Sequence, residues 1–563
     1  MRGARQLPAI VLVLATAACQ DNARPGPANG FAQLTVTYLC GNDFDLLSRN
    51  SRTLTIEYGV VGTSEAGELS LPPGSGSAPS TTRLTTQTPG DLKISYEGEE
   101  SAPVANHATT CPLPPSTSEP QATAGEWTPR FGWPVVAVHL HLLPSGRVLS
   151  WGKIGAPTLW DPTTGDFAAA PSTTRLFCSG HTFLADGRLL VSGGHLSDQR
   201  GLPDANIFDA STGTWSSVEP MHWGRWYPTS TTLPDGEVVT LAGRDQDGAE
   251  VETPEVWTGG SWRSLTGASR ALPYYPRTFV APNSLVFYAG ELPQTAYLDV
   301  RGTGTWLPVA TSRYGRRDYG TAVMYRPGKV MIVGGSDPPD GAPTNTAEVI
   351  DLNQSSPSWR YTDPMRYARR HLNATLLPDG TVLVTGGTSS AGFSDPAGAV
   401  HAAELWDPAT EAWTLLAGNS VNRVYHSTTM LLPDGRLLHT GSGDGPGLPR
   451  ELNAELLAPP YLFRGPRPEI LNAPEAIAYG GELLVSTDDA PRVARVTLVR
   501  LSSVTHAFDQ SQRFVELGFR KVAGGLRLKA PDSGAVAPPG PYLLFILNGL
   551  GVPSVARIVR VGG

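Results

Sequence analysis

The sequence predicts an all-β chain, and three observations carry that prediction. Glycine and proline are abundant, 62 and 51 of 563 residues, a composition that favours short strands and many turns. A turn, an apolar strand and a closing glycine recur seven times through the middle of the chain. Period-two alternation flanks that repeat on both sides, and long helical periodicity appears nowhere. The architecture expected is a seven-bladed β-propeller between an N-terminal β-sandwich module and a C-terminal immunoglobulin-like β-sandwich.

Taken in order, the chain opens with MRGARQLPAIVLVLATAACQDN, in which Arg2 and Arg5 precede an apolar stretch over 7–14 and then small residues. Residues 1–19 therefore read as a signal peptide outside the fold. Thr16-Ala17-Ala18-Cys19 resembles a bacterial lipobox, which implies a lipid on Cys19 and an anchor to a membrane. The protein is expected to be exported: secreted, periplasmic, or lipid-anchored to the bacterial envelope. No later apolar run is long enough to span a bilayer. The net charge of −8, with no basic block, argues against nucleic acid as a partner. Residues 31–113 alternate in segments such as FAQLTVTYLC and RTLTIEYGVVG and read as a small β-sandwich. Cys40 and Cys111 both fall in it and can pair in an oxidising compartment, which leaves Cys178 as an unpaired thiol. Residues 114–127 read as a linker.

Residues 128–462 hold the repeat. Its units are LLPSGRVLSWG (142–152), FLADGRLLVSGG (183–194), TLPDGEVVTLAG (232–243), VAPNSLVFYAG (280–290), MYRPGKVMIVGG (324–335), LLPDGTVLVTGG (376–387) and LLPDGRLLHTGSG (431–443). Most are followed by a tryptophan: Trp160, Trp215, Trp262, Trp306, Trp359 and Trp406. This pattern resembles the kelch repeat, which implies one four-stranded blade per unit, with the tryptophan packed between blades. Residues 463–563 are again β-rich and read as the C-terminal sandwich.

Chemistry concentrates just ahead of the blades' first strands. Tyr425 stands directly beside His426 before MLL; side chains alternate along a strand, so two neighbours share a centre only at a bend. Phe177-Cys178-Ser179-Gly180 and Gly224-Arg225-Trp226-Tyr227-Pro228 hold the equivalent position in consecutive blades, and His506 lies in SSVTHAFDQSQR. The segments FCSG, RWYP, RVYHSTTMLLPDGR and THAFDQSQR, in this order, resemble the copper-radical oxidase family of galactose oxidase and glyoxal oxidase. The resemblance implies a Cu(II) site in which Tyr227, Tyr425, His426 and His506 are ligands. It also implies a radical cofactor made by a thioether between Cys178 and Tyr227, with Tyr425 as general base. The reaction implied is oxidation of a small aldehyde or primary alcohol by O2 to give H2O2, by a monomer. Two imidazoles, two phenols and an open position suit Cu(II). The alternative is a non-catalytic kelch-type propeller that binds carbohydrate or protein at the cell surface.

Two positions depart from galactose oxidase. Asp245, in AGRD (242–245), stands about where that enzyme has a tryptophan over its cross-linked tyrosine. Its sugar-contacting arginine is also missing from LPYYPR (272–277), with Arg277 the one nearby residue able to restore a fork. A small hydrated aldehyde is therefore preferred to galactose. DQDGAEVE (245–252) reads as an exposed turn rather than a calcium loop. His139 and His141 read as packing or hydrogen-bonded histidines, and His181, His195, His222, His371 and His439 have no ligand partner at a readable spacing.

Overall fold

The computed structural model describes residues 10–12, 31–40, 43–48, 51–74, 80–86, 91–96, 99–100, 120–445 and 447–562. Cys19, with its lipidation, and Cys111, with the Cys40–Cys111 pairing, lie outside the described residues. The chain divides into two compact units, Met1–Pro115 and Ser116–Gly563.

In the first unit, alternation buries every second side chain of Leu54–Val60, so that Leu54 and Ile56 face inward. They meet Leu71, Leu92 and Ile94 of their own sheet, and Leu34, Val36, Phe44, Leu46 and Leu84 of a second sheet, in one core. Ile10–Leu12, inside the segment read as a signal peptide, adds a parallel strand beside Phe31–Cys40.

The second unit is built from the repeated turn. After Ser427–Leu431 the Leu432 amide donates to Arg436 O (2.8 Å) and the Gly435 amide to Leu432 O (3.0 Å). Asp434 Oδ1 receives the Arg436 amide at 2.9 Å, and Gly435 sits at φ 83°, a conformation that glycine adopts without a Cβ clash. The same bonds close the turns at 184–188, 233–237 and 377–381. Seven antiparallel sheets result, one per repeat, with first strands His139–Leu142, Gly180–Phe183, Thr229–Thr232, Arg277–Val280, Thr321–Arg326, Asn373–Leu376 and Ser427–Leu431. From the second sheet to the seventh, first strands of successive sheets touch, Ser427–Leu431 returns to His139–Leu142, and Ser503–Thr505 touches the first strands of both the first and the second sheet. The last sheet is completed by strands from the start of the unit, since Glu126–Trp127 and Phe131–Gly132 both pair with Asn453–Ala458.

Tryptophans tie four of the sheets to the one before. Trp215, Trp262, Trp306 and Trp413 donate their indole N–H to the carbonyls of Ala170, Glu219, Ala268 and Asp363. Beyond the seventh sheet, a five-stranded and a three-stranded sheet close on a core that includes Val485, Val496, Leu526 and Leu544. One hairpin leaves this part: Ser503–Thr505 pairs with His139–Leu142, so the first sheet gains two strands and His506 is carried among the first strands.

Candidate active site

The residues of the site stand just ahead of first strands, save His506 in the turn of its hairpin, and all but Tyr425 have left-handed backbone. Cys178 (φ 65°), Tyr227 (69°), Tyr275 (46°), Tyr319 (50°), His371 (59°), His426 (71°) and His506 (46°) all lie in this region. Such a conformation costs a non-glycine residue about 1–3 kcal/mol and persists only when its surroundings impose it. Here the surroundings are buried ion pairs. Arg225, Arg317, Arg369 and Arg423, each two residues before a site residue, pair with Glu255, Glu348, Glu404 and Glu455 on the third strand of their own sheet. Each arginine also donates to a carbonyl at the end of the second strand: Ala242, Gly334, Gly386 and Gly441. Breaking one such pair would leave an uncompensated buried charge, at a cost of about 3–5 kcal/mol. The signal Arg-x-Tyr/His with a downstream glutamate was present in the sequence at 225–227, 317–319, 369–371 and 423–425, but its meaning depends on the partner strand.

The left-handed turns bring the predicted residues together. Tyr227 and Tyr425 place their hydroxyl oxygens 2.6 Å apart. The His506 ring lies 4.4 Å from that of Tyr227, 4.6 Å from that of His426 and 5.6 Å from that of Tyr425, between centroids. Cys178 is a buried free thiol that packs with Tyr227 in one cluster, and its carbonyl receives the Tyr227 amide at 2.8 Å.

Protonation follows from burial. Burial, and then Tyr425, pushes the Tyr227 hydroxyl well above the usual phenol range, and burial does the same to Tyr425 and to the Cys178 thiol. Burial lowers His426 to about 3 and holds His506 well below the ordinary imidazole range. Both imidazoles are thus neutral. His426 Nδ1 lies 2.6 Å from Gly443 O, which can only accept, so the proton is on Nδ1 and the lone pair on Nε2. His506 Nδ1 bonds to the Thr505 hydroxyl at 2.7 Å. On both rings Nε2 is buried without a protein partner. Two unpartnered imidazole Nε2 atoms beside two phenol oxygens fit a Cu(II) ion in donor type, and His426 does so in tautomer as well.

The structure corrects the reading of Asp245. That residue closes its own loop, Oδ1 receiving the amides of Asp247 and Ala249 at 2.9 Å each. The aromatic cover comes from Trp226, stacked on Tyr227 at 3.7 Å and 10°. Arg277 offers no fork: it is 4% exposed and spends its guanidinium on the carbonyls of Tyr274, Tyr275 and Gly320. A cavity of about 330 Å³ opens beside Tyr227 and His506, and Tyr274, Tyr319 and Phe393 give it aromatic walls that the sequence did not reveal.

A site of redox-active side chains around two vacant imidazole nitrogens is that of a metal-dependent oxidase, and known proteins define it more narrowly. Residues 340–461 match the family described as Glyoxal oxidase N-terminus, and residues 467–561 match the Galactose oxidase-like, Early set domain. A galactose oxidase of Gibberella zeae is 30% identical over 497 residues, spanning 79% of this chain and 72% of that protein. An aldehyde oxidase of Vitis pseudoreticulata is 29% identical over 471 residues, 75% of this chain and 89% of that one. Among solved structures, a fungal alcohol oxidase in complex with copper superimposes with a TM-score of 0.72 at 25% identity, over 78% of this chain and all of that chain. The chain belongs to the copper-radical oxidase family of galactose oxidase and glyoxal oxidase.

Proposed function

We propose that this is an exported oxidase that converts small aldehydes or primary alcohols with O2 and releases H2O2, using Cu(II) and a Cys178–Tyr227 thioether. The single observation that carries the assignment of residues is the pair of unpartnered Nε2 atoms of His426 and His506, facing phenol oxygens 2.6 Å apart. We read the seven sheets as the blades of a closed propeller and the sheets of 463–563 as a C-terminal sandwich. The ring of first strands then sets His506 against the blades.

In this reading His426, His506, Tyr227 and Tyr425 hold the metal, which supplies one of the two electron acceptors that the reaction requires. Tyr227, with sulfur on its ring and itself oxidised by one electron to a radical, would be the other, taking the second electron with the hydrogen of the substrate carbon. Tyr425 Oη, a protonated phenol while the site is metal-free, would give up its own proton on binding the metal and would then receive the substrate's hydroxyl proton. Trp226 keeps water from the Tyr227 face. With Arg277 engaged, the cavity has no free arginine fork at that position, which favours a small gem-diol over a sugar. Copper-dependent peroxide release across a panel of aldehydes and alcohols tests the reading. Cys178→Ala should retain copper, since sulfur is not among the ligands, yet lose turnover by at least about a hundredfold, the range general for losing an essential group. Full turnover in that variant would remove the thioether from the mechanism.

A further inference from the structure

Behind Cys178 lies a histidine chain that the reaction above does not use. The Cys178 amide meets His139 Nε2 at 3.1 Å. An amide N–H only donates, so Nε2 carries the lone pair and Nδ1 the proton. His139 Nδ1 meets His181 Nε2 at 3.0 Å, which fixes the His181 proton on Nδ1, 2.6 Å from Ser503 Oγ. Ser503 Oγ also meets His141 Nδ1 at 2.9 Å and the carbonyl of His181 at 3.4 Å. One amide thereby sets the tautomers of His139 and His181, and the serine ties both to His141, all three imidazoles being fully buried.

Around the ring, left-handed residues pass their amides to the carbonyl of the preceding sheet. Tyr227 donates to Cys178 O, Tyr275 to Tyr227 O and His371 to Tyr319 O. At Cys178 an imidazole takes the place of that carbonyl. We propose that His139 is the positioning residue for the thioether. Its Nε2 holds Cys178 in the left-handed conformation that presents Sγ to the Tyr227 ring, and the chain through His181, Ser503 and His141 keeps that Nε2 unprotonated. The same strand serves the metal side. In the register His139 pairs with Thr505 and His141 with Ser503, and Thr505 bonds His506 Nδ1. Sulfur and metal-binding imidazole are thus keyed to one pair of strands.

The inference rests on the copper-radical reading and concerns the making of the cofactor. Cross-linking removes the Cys178 S–H hydrogen and one ring hydrogen of Tyr227 and forms one S–C bond. The two electrons and two protons pass to dioxygen, giving hydrogen peroxide, with Cu(II) present as mediator. Copper-free full-length protein is incubated with Cu(II) in air, and two quantities are followed: an intact mass lower by about two daltons, and the loss of alkylatable Cys178 after denaturation. Wild type should cross-link. His139→Ala should do so at least about tenfold more slowly, while binding copper with the wild-type stoichiometry, because His426 and His506 are untouched. His139→Gln, whose amide oxygen can accept, should recover part of the rate. Ser503→Ala should slow cross-linking by a smaller factor and decides the matter should His139→Ala not fold. Wild-type rates in His139→Ala, or in Ser503→Ala where that variant decides, would overturn the role of His139 and leave the oxidase reading standing. A wild-type protein that binds copper and forms no thioether would overturn both.

Discussion

Two histidine clusters lie side by side in this protein and differ in one respect. His426 and His506 each keep a buried Nε2 with no protein partner. His139, whose ring centroid is 6.1 Å from that of His506, and its neighbour His181 have both ring nitrogens engaged. Burial and a depressed imidazole pKa are common to both clusters. Neither property separates the pair assigned to copper from the rest, and nor does a bare Nε2 alone, since those of His141 and His439 are also buried without a partner; His426 and His506 are set apart because their rings lie together beside the Tyr227 and Tyr425 phenols.

The largest expected effect breaks that contrast directly. Replacing His426 or His506 by alanine should weaken copper binding by at least about a thousandfold, beyond the 10- to 100-fold that outer partners are worth. His141→Gln should leave copper stoichiometry intact. Metal analysis after dialysis against a weak chelator measures both, and copper loss of equal size in His141→Gln would erase the distinction.

Acid should reach His181 of the second cluster and also His371, whose ring lies 5.2 Å from that of Tyr425. Burial holds His181 at about 3, and burial with Arg370 holds His371 at about 3, against about 6.5 in the unfolded chain. Between those values the unfolded state binds more protons, so stability is fully present above about pH 6.5 and falls as pH drops toward 3. Each histidine costs about 1.4 kcal/mol per pH unit, so the two together remove roughly 4 kcal/mol between pH 6.5 and 5. Urea unfolding of the copper-free protein should show the midpoint falling over this window. A flat midpoint would mean that these imidazoles are not held neutral.

How much of this was legible in the sequence depends on distance along the chain. The turn chemistry of PDG and its spacing gave the sheets, because those bonds are local. Cys178, Tyr227, Tyr425, His426 and His506 could be read because each sits in a short motif. The His139–His181–Ser503–His141 chain could not, since Ser503 lies 322 residues from His181 and 362 from His141. Trp226 escaped for a different reason. Period-two alternation turns neighbours to opposite faces, and only the left-handed backbone at Tyr227 folds the two rings together.

Substrate choice sharpens the contrast at a smaller scale. Arg277 is spent on three carbonyls, so galactose finds no fork there. We expect kcat/KM for glyoxal, methylglyoxal or glycolaldehyde to exceed that for galactose at least about tenfold, which corresponds to roughly 1.4 kcal/mol of lost transition-state contact. The aromatic walls from Tyr274 and Phe393 favour sugar stacking and limit the margin. Comparable turnover of galactose would turn attention to Arg316, which lines the same cavity and whose Nε is held by Glu291 at 2.8 Å.

The smallest expected effect is at Asp245, which the sequence places about where galactose oxidase has its covering tryptophan. Its Oδ1 is spent on the amides of Asp247 and Ala249, which makes it a loop-closing residue of the kind that asparagine replaces well. Asp245→Asn keeps an oxygen acceptor at that position and leaves Trp226 stacked on Tyr227. Turnover and the radical's optical spectrum should therefore change by less than about twofold, within the few tenths of a kcal/mol expected of a surface substitution. Trp226→Phe keeps a ring but loses the indole N–H that reaches His195 Nδ1 at 3.3 Å, and should change the spectrum more than Asp245→Asn does. The opposite order would return the radical's environment to Asp245 and show that the stacked indole is only packing.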